Sequence, residues 1–379
     1  MNSQNRIKIK GRVVGANNLK DFSYFFIRSN GEYFHIKKEN LPDEKKVSRG
    51  DIVEAECFIP DATEKSFRVK SYKILARHEG FLPNEGFIRN GDPSQNFVKA
   101  AFDPQFFDLF RKKSTLITSI RNFLNNDNFQ EVSTPILSNS THSSGLKDLK
   151  VAYGNKTAFL RKIIEPKLRY FIAAGFDRTY EIGPVFRDVT PNRDFKNEFS
   201  NLDTLAAYTN LDDAINLCLQ LYSLSRSVFG IGGINIESAK FAELLKKDEG
   251  RLNPRDQHKI VRKKLNEMTN PIIVQNYPSE LNPVAKTNSD GRHALDFRIC
   301  SQGKTLFHGY ELENNLEQLK KKRALYDKTS QDEMNDDFER VIRFGLPPCS
   351  GFGMGIERLV QHLSGREGIG DVYFFGGKL

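Results

Sequence analysis

Two arginines and a run of glycines are the residues best suited to handling a phosphate. Arg187 follows Phe186 at the end of a strand-like run and precedes a loop, and its planar fork of donors suits bidentate contact with a phosphate. Phe199, on the returning strand, offers a flat apolar surface for adenine. Gly351, Gly353 and Gly355 alternate with Phe352 and Met354, so a strand's period of two puts all three on one face. A face without side chains lets a ring or a ribose approach the backbone, and Arg358 follows as a helix begins. Close helix-on-strand packing would also account for the glycines, though not for the adjoining Glu357-Arg358, and Arg187 taken alone would be a solvated surface residue. A dinucleotide loop is excluded, because the third glycine of GxGxxG is missing and no βαβ unit surrounds the run. The chemistry that fits is binding of a nucleotide, with arginine forks on phosphate and the aromatic ring under the base, which needs positive charge and no side-chain nucleophile.

The elements that position these residues read as α+β. Residues 7–78 hold five strand-like runs (IKIKGRVVG, FSYFFIR, EYFHI, DIVEAECFI, SFRVKSYKIL) with a turn at Ser29-Asn30-Gly31. That pattern suits a small Greek-key barrel of the oligonucleotide-binding type, with any small barrel or sandwich as the alternative. Residues 80–102, rich in Gly, Pro, Asn and Asp, read as a linker. The expected domains are 1–79, a barrel, and 103–379, a sheet with separate flanking helices. In the second, a long amphipathic helix over 103–126 precedes a strand FQEVSTPIL and a polar loop STHSSG. A helix follows near 165–175, then the hairpin RTYEIGPVFRD and NEFSNLDTLAAY and helices over 211–228 and 254–268. DFRIC and TLFHGYEL flank a turn at 301–304, and SGFGMGIERL runs from a strand into a helix.

The 379 residues leave room for two domains, and 57 Lys+Arg against 48 Asp+Glu give a net charge of +9, which favours a polyanionic partner such as RNA. The four cysteines, Cys57, Cys218, Cys300 and Cys349, stand singly without zinc-ligand spacing. No apolar run is long enough for a membrane span and the first residues lack the apolar stretch of a secretory signal, so a cytoplasmic protein is expected.

FQEVSTPIL, VFRDVTPNRDFKNEF and GFGMGIERL resemble, in order, the three signature motifs of class II aminoacyl-tRNA synthetases. YPSELNPVAK and GYELENNLEQL are similar to segments of lysyl-tRNA synthetases, and GFDRTYEI and EFSNLD also resemble aspartyl and asparaginyl enzymes. The resemblance implies an anticodon-binding N-terminal barrel and a ligase that joins an amino acid, or a related small carboxylic acid, to tRNA through an aminoacyl-adenylate. It places Arg187 on the ATP α-phosphate, Phe199 under adenine, Arg358 on the ATP tail, and Gly353 and Gly355 against the nucleotide. It assigns Glu311 to Mg²⁺, with Asp296 as the second carboxylate, which suits an ion that takes oxygen ligands from carboxylates and phosphates. Lys167, Asp203, Leu205, Asn314, Gln318 and Gly351 fall where the amino acid binds. Pro135 matches the motif 1 proline, which implies a homodimer through that segment and the helix before it. In the barrel, Tyr24 and Arg28 lie nearest the family's RNA-stacking aromatic and its arginine.

Differences from lysyl enzymes cluster at the amino-acid end. Val189 replaces an acid, Phe195 a histidine, Leu205 a tyrosine, Leu316 a phenylalanine and Gln318 a glutamate; Lys167 stands where an acid or amide is usual, Asp203 keeps a shortened acid, and the loop arginine appears at Arg193. A buried ammonium needs carboxylate partners, so these changes argue against tight binding of lysine. They leave open a paralogue that transfers an activated acid to a protein lysine, a carrier or an amine, and a non-catalytic RNA-binding regulator. His142 and His308 sit near the expected pocket, where a neutral-range pKa would permit proton transfer. Adenylate formation requires none.

Overall fold

The computed structural model describes residues 5–18, 22–39, 47–60, 66–79, 82, 96–138, 148–325 and 336–375. They divide into two compact units, Met1–Arg111 with Phe374–Leu379, and Lys112–Tyr373. Most of the expected linker lies outside the described residues, and its last part is helix α1 (Asn96–Phe102). The loop STHSSG, with His142, lies outside them too.

In the first unit, strands β1 (Arg6–Asn18), β2 (Phe22–Ser29), β3 (Glu32–Glu39), β4 (Ile52–Phe58) and β5 (Phe67–Ala76) close into a barrel in the order β1-β2-β3-β5-β4. Alternation decides which side chains fill it: Val53, Ala55 and Cys57 of β4 point inward with Phe25, Ile27 and Ile36, all fully buried. The β2–β3 hairpin turns through Asn30 and Gly31, both at positive φ (49° and 87°). That is the two-residue turn whose twist matches the flanking strands.

Helix α2 (Pro104–Asn126) is followed by β6 (Gln130–Glu131) and β7 (Leu137–Ser138). The expected single strand FQEVSTPIL is therefore split between two sheets: β6 pairs in parallel with β10, while β7 pairs with β9. Pro135 lies between them, and a residue without an N–H cannot carry a ladder through. The remaining strands are β8 (Lys150–Tyr153), β9 (Lys156–Leu160), β10 (Arg178–Phe186), β11 (Glu198–Ala207), β12 (Glu237–Lys240), β13 (Ile272–Gln275), β14 (Asp296–Ser301), β15 (Lys304–Glu311) and β16 (Cys349–Gly355). The main sheet runs β12-β13-β14-β15-β16-β11-β10-β6, antiparallel except for its outermost pair at each end. Helices α3 (Glu165–Ala173), α4 (Leu211–Val228), α5 (Pro254–Asn266), α6 (Leu316–Leu325), α7 (Asp336–Gly345) and α8 (Ile356–Ser364) complete the unit. Helix α3 packs on β10, β11 and α7, and α4 packs on β14, β15 and β16. The α4 start is a capping box, with Asn210 accepting from Asp212 and Asp213 N–H while Asp213 accepts from Asn210 N–H.

One buried ion pair fixes the end of β10 that carries Arg187. Arg161 donates to Glu181 at 2.6 Å, to Thr134 Oγ1 at 2.8 Å and to the Pro184 carbonyl at 2.8 Å. Glu181 accepts in turn from Thr134 N–H at 2.9 Å. Arg161→Ala leaves a buried carboxylate without its cation, a loss of about 3–5 kcal/mol. We expect a clearly lowered urea midpoint for this variant, partly restored when Glu181→Gln removes the stranded charge; an unchanged midpoint would show that the pair does not hold the hairpin.

Candidate functional site

The hairpin β10–β11 and the glycine-bearing strand β16 lie side by side, and their register decides what faces the cavity above them. Across the sheet Arg298 pairs with His308, His308 with Gly353, Gly353 with Asp203, and Asp203 with Glu181. The next row runs from Asp296 through Tyr310, Gly351 and Leu205. Paired residues share a face, so the glycines form a trough with His308 and Tyr310 on one side and Asp203 and Leu205 on the other. The cavity over this trough has a volume of about 400 Å³.

The glycines serve two ends. A Cβ on Gly351 would stand 2.0 Å from the Thr204 carbonyl oxygen, a position that strand packing alone forbids. A Cβ on Gly355 would meet only ordinary contacts, with Phe199 at 3.9 Å and Arg358 at 3.7 Å, so bareness there keeps the cavity open. Phe199 forms one wall, and the Arg187 guanidinium carbon lies 4.7 Å from its ring centroid. The Arg187 backbone N–H donates to the Asn197 carbonyl at 2.7 Å, closing the neck of the loop. Its buried Nε has no hydrogen-bond partner among the described residues, and burial, then the neighbouring Arg358, lowers its pKa. Arg358, in the first turn of α8, donates to the Asp194 carbonyl at 3.1 Å and lies over Phe195.

The carboxylates that line the cavity are already answered. Glu165 takes both donors of Arg169, at 2.7 and 2.6 Å. Glu357 is held by Lys113 at 2.9 Å and by Ser200 N–H at 2.8 Å. Asp194 pairs with Lys304 at 3.0 Å. Asp203 accepts from Asn201 Nδ2 at 2.9 Å and more distantly from Ile164 N–H, and burial pushes its carboxyl up to about 7. What remains is positive charge with donors unspent, which is an anion site.

Arg187, Phe199, Asp203, Leu205, Gly351, Gly353, Gly355 and Arg358 thus come together around one cavity. Lys167, Asn314 and Gln318 do not. Lys167 pairs with Asp337 at 3.2 Å, Asn314 donates to the Leu346 carbonyl at 3.3 Å, and Gln318 is exposed on α6. Residues two apart on a helix face different ways, and the α3 residue that reaches the cavity is Glu165. The two expected metal ligands do not meet either. Glu311 follows Tyr310 on β15, so alternation turns it to the other face, where it pairs with Lys286 at 2.7 Å. Asp296 is fully buried and accepts from Tyr277 N–H at 3.0 Å and Asn282 Nδ2 at 3.3 Å. Among the described residues, no group of three or more His, Cys, Asp or Glu is placed to hold a metal ion. These residues do not fit a magnesium ion held by Glu311 and Asp296. His308 lines the cavity as expected, and Arg298 and Tyr310 line it without having been assigned to it from sequence; their strand alternation was the available signal.

In the barrel, Arg28 donates to the Ala100 carbonyl at 2.6 Å and stacks over Phe107 at 4.2 Å. That engagement removes it from the open aromatic face. Tyr24 lies on that face, where the His35 ring sits 4.7 Å from Tyr24 and 4.6 Å from Phe26. Phe26 and His35 are the residues that sequence reading missed there.

Asp203 makes stability depend on pH. Its folded pKa of about 7 lies above the roughly 4 of an unfolded aspartate, so between those values the folded state holds the extra proton. Stability then falls as pH rises through that window, and the loss persists above it. In thermal unfolding series from about pH 5 to 8, Asp203→Asn is expected to gain steadily on the parent; parallel curves would show that Asp203 ionises freely.

A sequence model described as "tRNA synthetases class II (D, K and N)" matches residues 92–378. Among curated relatives, a protein named lysine–tRNA ligase from Mesomycoplasma hyopneumoniae strain J is 25% identical, covering 93% of this chain and 86% of that protein. Those of the same name from Fusobacterium nucleatum and from Buchnera aphidicola subsp. Cinara cedri are 24% and 25% identical, each over 98% of this chain. With the family match spanning most of its length, over the sheet and cavity just described, the chain belongs to the class II tRNA synthetases of the D, K and N kind.

Proposed function

We propose that this ligase activates an amino acid with ATP and passes it to tRNA, and that the amino acid is lysine. The observation that carries the first half is the half-buried Arg187, with an unspent, buried Nε donor, beside Phe199 at the mouth of a side-chain-free trough. Adenine stacks on Phe199 and the α-phosphate meets the Arg187 fork. An oxygen of the amino-acid carboxylate attacks the α-phosphorus, the bond to the β-phosphate breaks, and pyrophosphate leaves carrying that bond's electrons. Arg187 stabilises the charge that gathers on the α-phosphate during the exchange. The choice of lysine follows the relatives' names and the Asp203 carboxyl, whose ionisation burial opposes and a substrate ammonium would favour. Any magnesium would arrive as the nucleotide's own counter-ion, since Glu311 and Asp296 are committed to other partners.

Amino-acid-dependent exchange of labelled pyrophosphate into ATP tests this reading. Lysine should support exchange above the other standard amino acids, and Arg187→Ala should slow it by about 10²–10³-fold, the usual cost of one transition-state donor. Silence with every standard amino acid would refute the proposal.

The acceptor half rests on the barrel. Tyr24, His35 and Phe26 make an aromatic surface beside Lys37, which suits stacked bases and a phosphate backbone. We place a second copy of the chain against the segment around Pro135, where Ile136 and Leu137 are 41% and 46% exposed. Sedimentation of the full chain, alone and with tRNA, is expected to show a dimer that carries tRNA. Phe26→Ala should weaken tRNA binding about 10-fold, as loss of one stacked base does, without changing the dimer. A monomer, or unaltered tRNA affinity, would count against the respective assignment.

A further inference from the structure

The cavity continues past Arg358. A second cavity of about 380 Å³ shares Arg298, Arg358, Asp194, Phe195 and Thr305 with the first and adds Arg262, His258 and Lys304. Asp194 is the one carboxylate in its lining, and it is paired with Lys304. Arg298 and Arg358 therefore stand where the two spaces meet. Arg298 is held in place from below: its guanidinium lies 4.2 Å over the Tyr277 ring, and Nη1 lies 3.0 Å from His258 Nε2. His258 is half-buried, and that desolvation, reinforced by Arg298, pushes its pKa down to about 4, so at neutral pH it is an uncharged acceptor that orients the guanidinium. The Nε of Arg298, like that of Arg187, is buried without a partner among the described residues. Two guanidiniums with orphaned donors thus line two adjoining basic cavities, while the carboxylates expected to hold a metal there are committed to Lys286 and to Tyr277 and Asn282.

We propose that Arg298 is a polyphosphate-binding residue: with Arg358 it takes the β- and γ-phosphates of the nucleotide, and the departing pyrophosphate, supplying from the chain the positive charge that a carboxylate-held metal would otherwise bring. The proposal rests on the ATP reading of the main cavity. A planar guanidinium fork can grip a diphosphate bidentately, and the adjoining basic cavity gives the leaving group a place away from the adenylate.

Calorimetry on the full chain with ATP, pyrophosphate and AMP, each in Mg²⁺ and in excess EDTA, tests it. Arg298→Ala should weaken pyrophosphate and ATP by about tenfold or more, one charge-assisted contact's worth, and AMP by no more than about twofold. Arg298→Lys should recover part of the loss, and pyrophosphate should still bind the parent chain in EDTA. An equal loss for AMP and pyrophosphate would overturn the proposal by making Arg298 a structural residue. So would abolition of pyrophosphate binding by EDTA. If these binding arms hold while no amino acid supports exchange, the activation reading fails and this inference stands.

Discussion

A largely desolvated guanidinium with no ion-pair partner among the described residues is the constraint around which the catalytic unit is organised. Arg187 is desolvated and faces Arg358 across the same cavity, and burial and that neighbour both depress its pKa. Taking such a charge out of water costs several kcal/mol unless something answers it. Here the nearby carboxylates are answered elsewhere, by Arg169, Lys113 and Lys304, or carry a proton. The cost is therefore held in the folded state until an anion arrives, which is what a preorganised phosphate site requires.

Holding that state needs a scaffold that cannot relax. The Arg161–Glu181–Thr134 cluster ties β10 to the segment after β6, and Glu357 ties α8 to the start of β11 through Ser200 N–H. Arg187 and Arg358 each sit within one residue of these anchors' elements, so neither backbone can withdraw its charge toward solvent. The register does the rest. Because Gly353 is flanked by His308 on one strand and Asp203 on the other, a trough one strand wide runs between side-chain walls, and a flat ligand can lie only along it.

Much of this was legible in the residues. The alternation of the glycine strand and the turn chemistry at Asn30-Gly31 and Gln302-Gly303, both pairs at positive φ, depend on local periodicity and local sterics, which sequence carries directly. What was not legible is set by partners distant in the chain. Arg28 read as an RNA contact because nothing near it reveals that Ala100 and Phe107 occupy it. Arg298 went unassigned because His258 and Tyr277, which aim it, come from α5 and the segment after β13. Glu311 and Asp296 read as ligands on adjacent strands, yet being one pleat out of phase puts their side chains on opposite faces. Lys167 was two helical positions from Glu165, enough to exchange a cavity residue for a surface ion pair.

The electrostatics also set an order of events. On the proposed reading, with the lining carboxylates neutralised, an incoming triphosphate would meet Arg187, Arg298 and Arg358 together and share its several charges among three guanidiniums. On that reading, once the α–β bond breaks, the adenylate would keep a single phosphate charge with Arg187 as its cation, whereas pyrophosphate would keep most of the charge beside Arg298 and Arg358. Those two arginines belong to the linings of both cavities. The products are thus drawn to different places by the same residues that gathered the substrate. A neutral Asp203 beneath the trough opposes neither movement; as an anion it would repel the phosphate and weaken the hold of Arg187 on it. Burial that keeps this carboxyl protonated through mildly acidic conditions serves the nucleotide step, and only a cation delivered by the amino acid gives the acid reason to ionise.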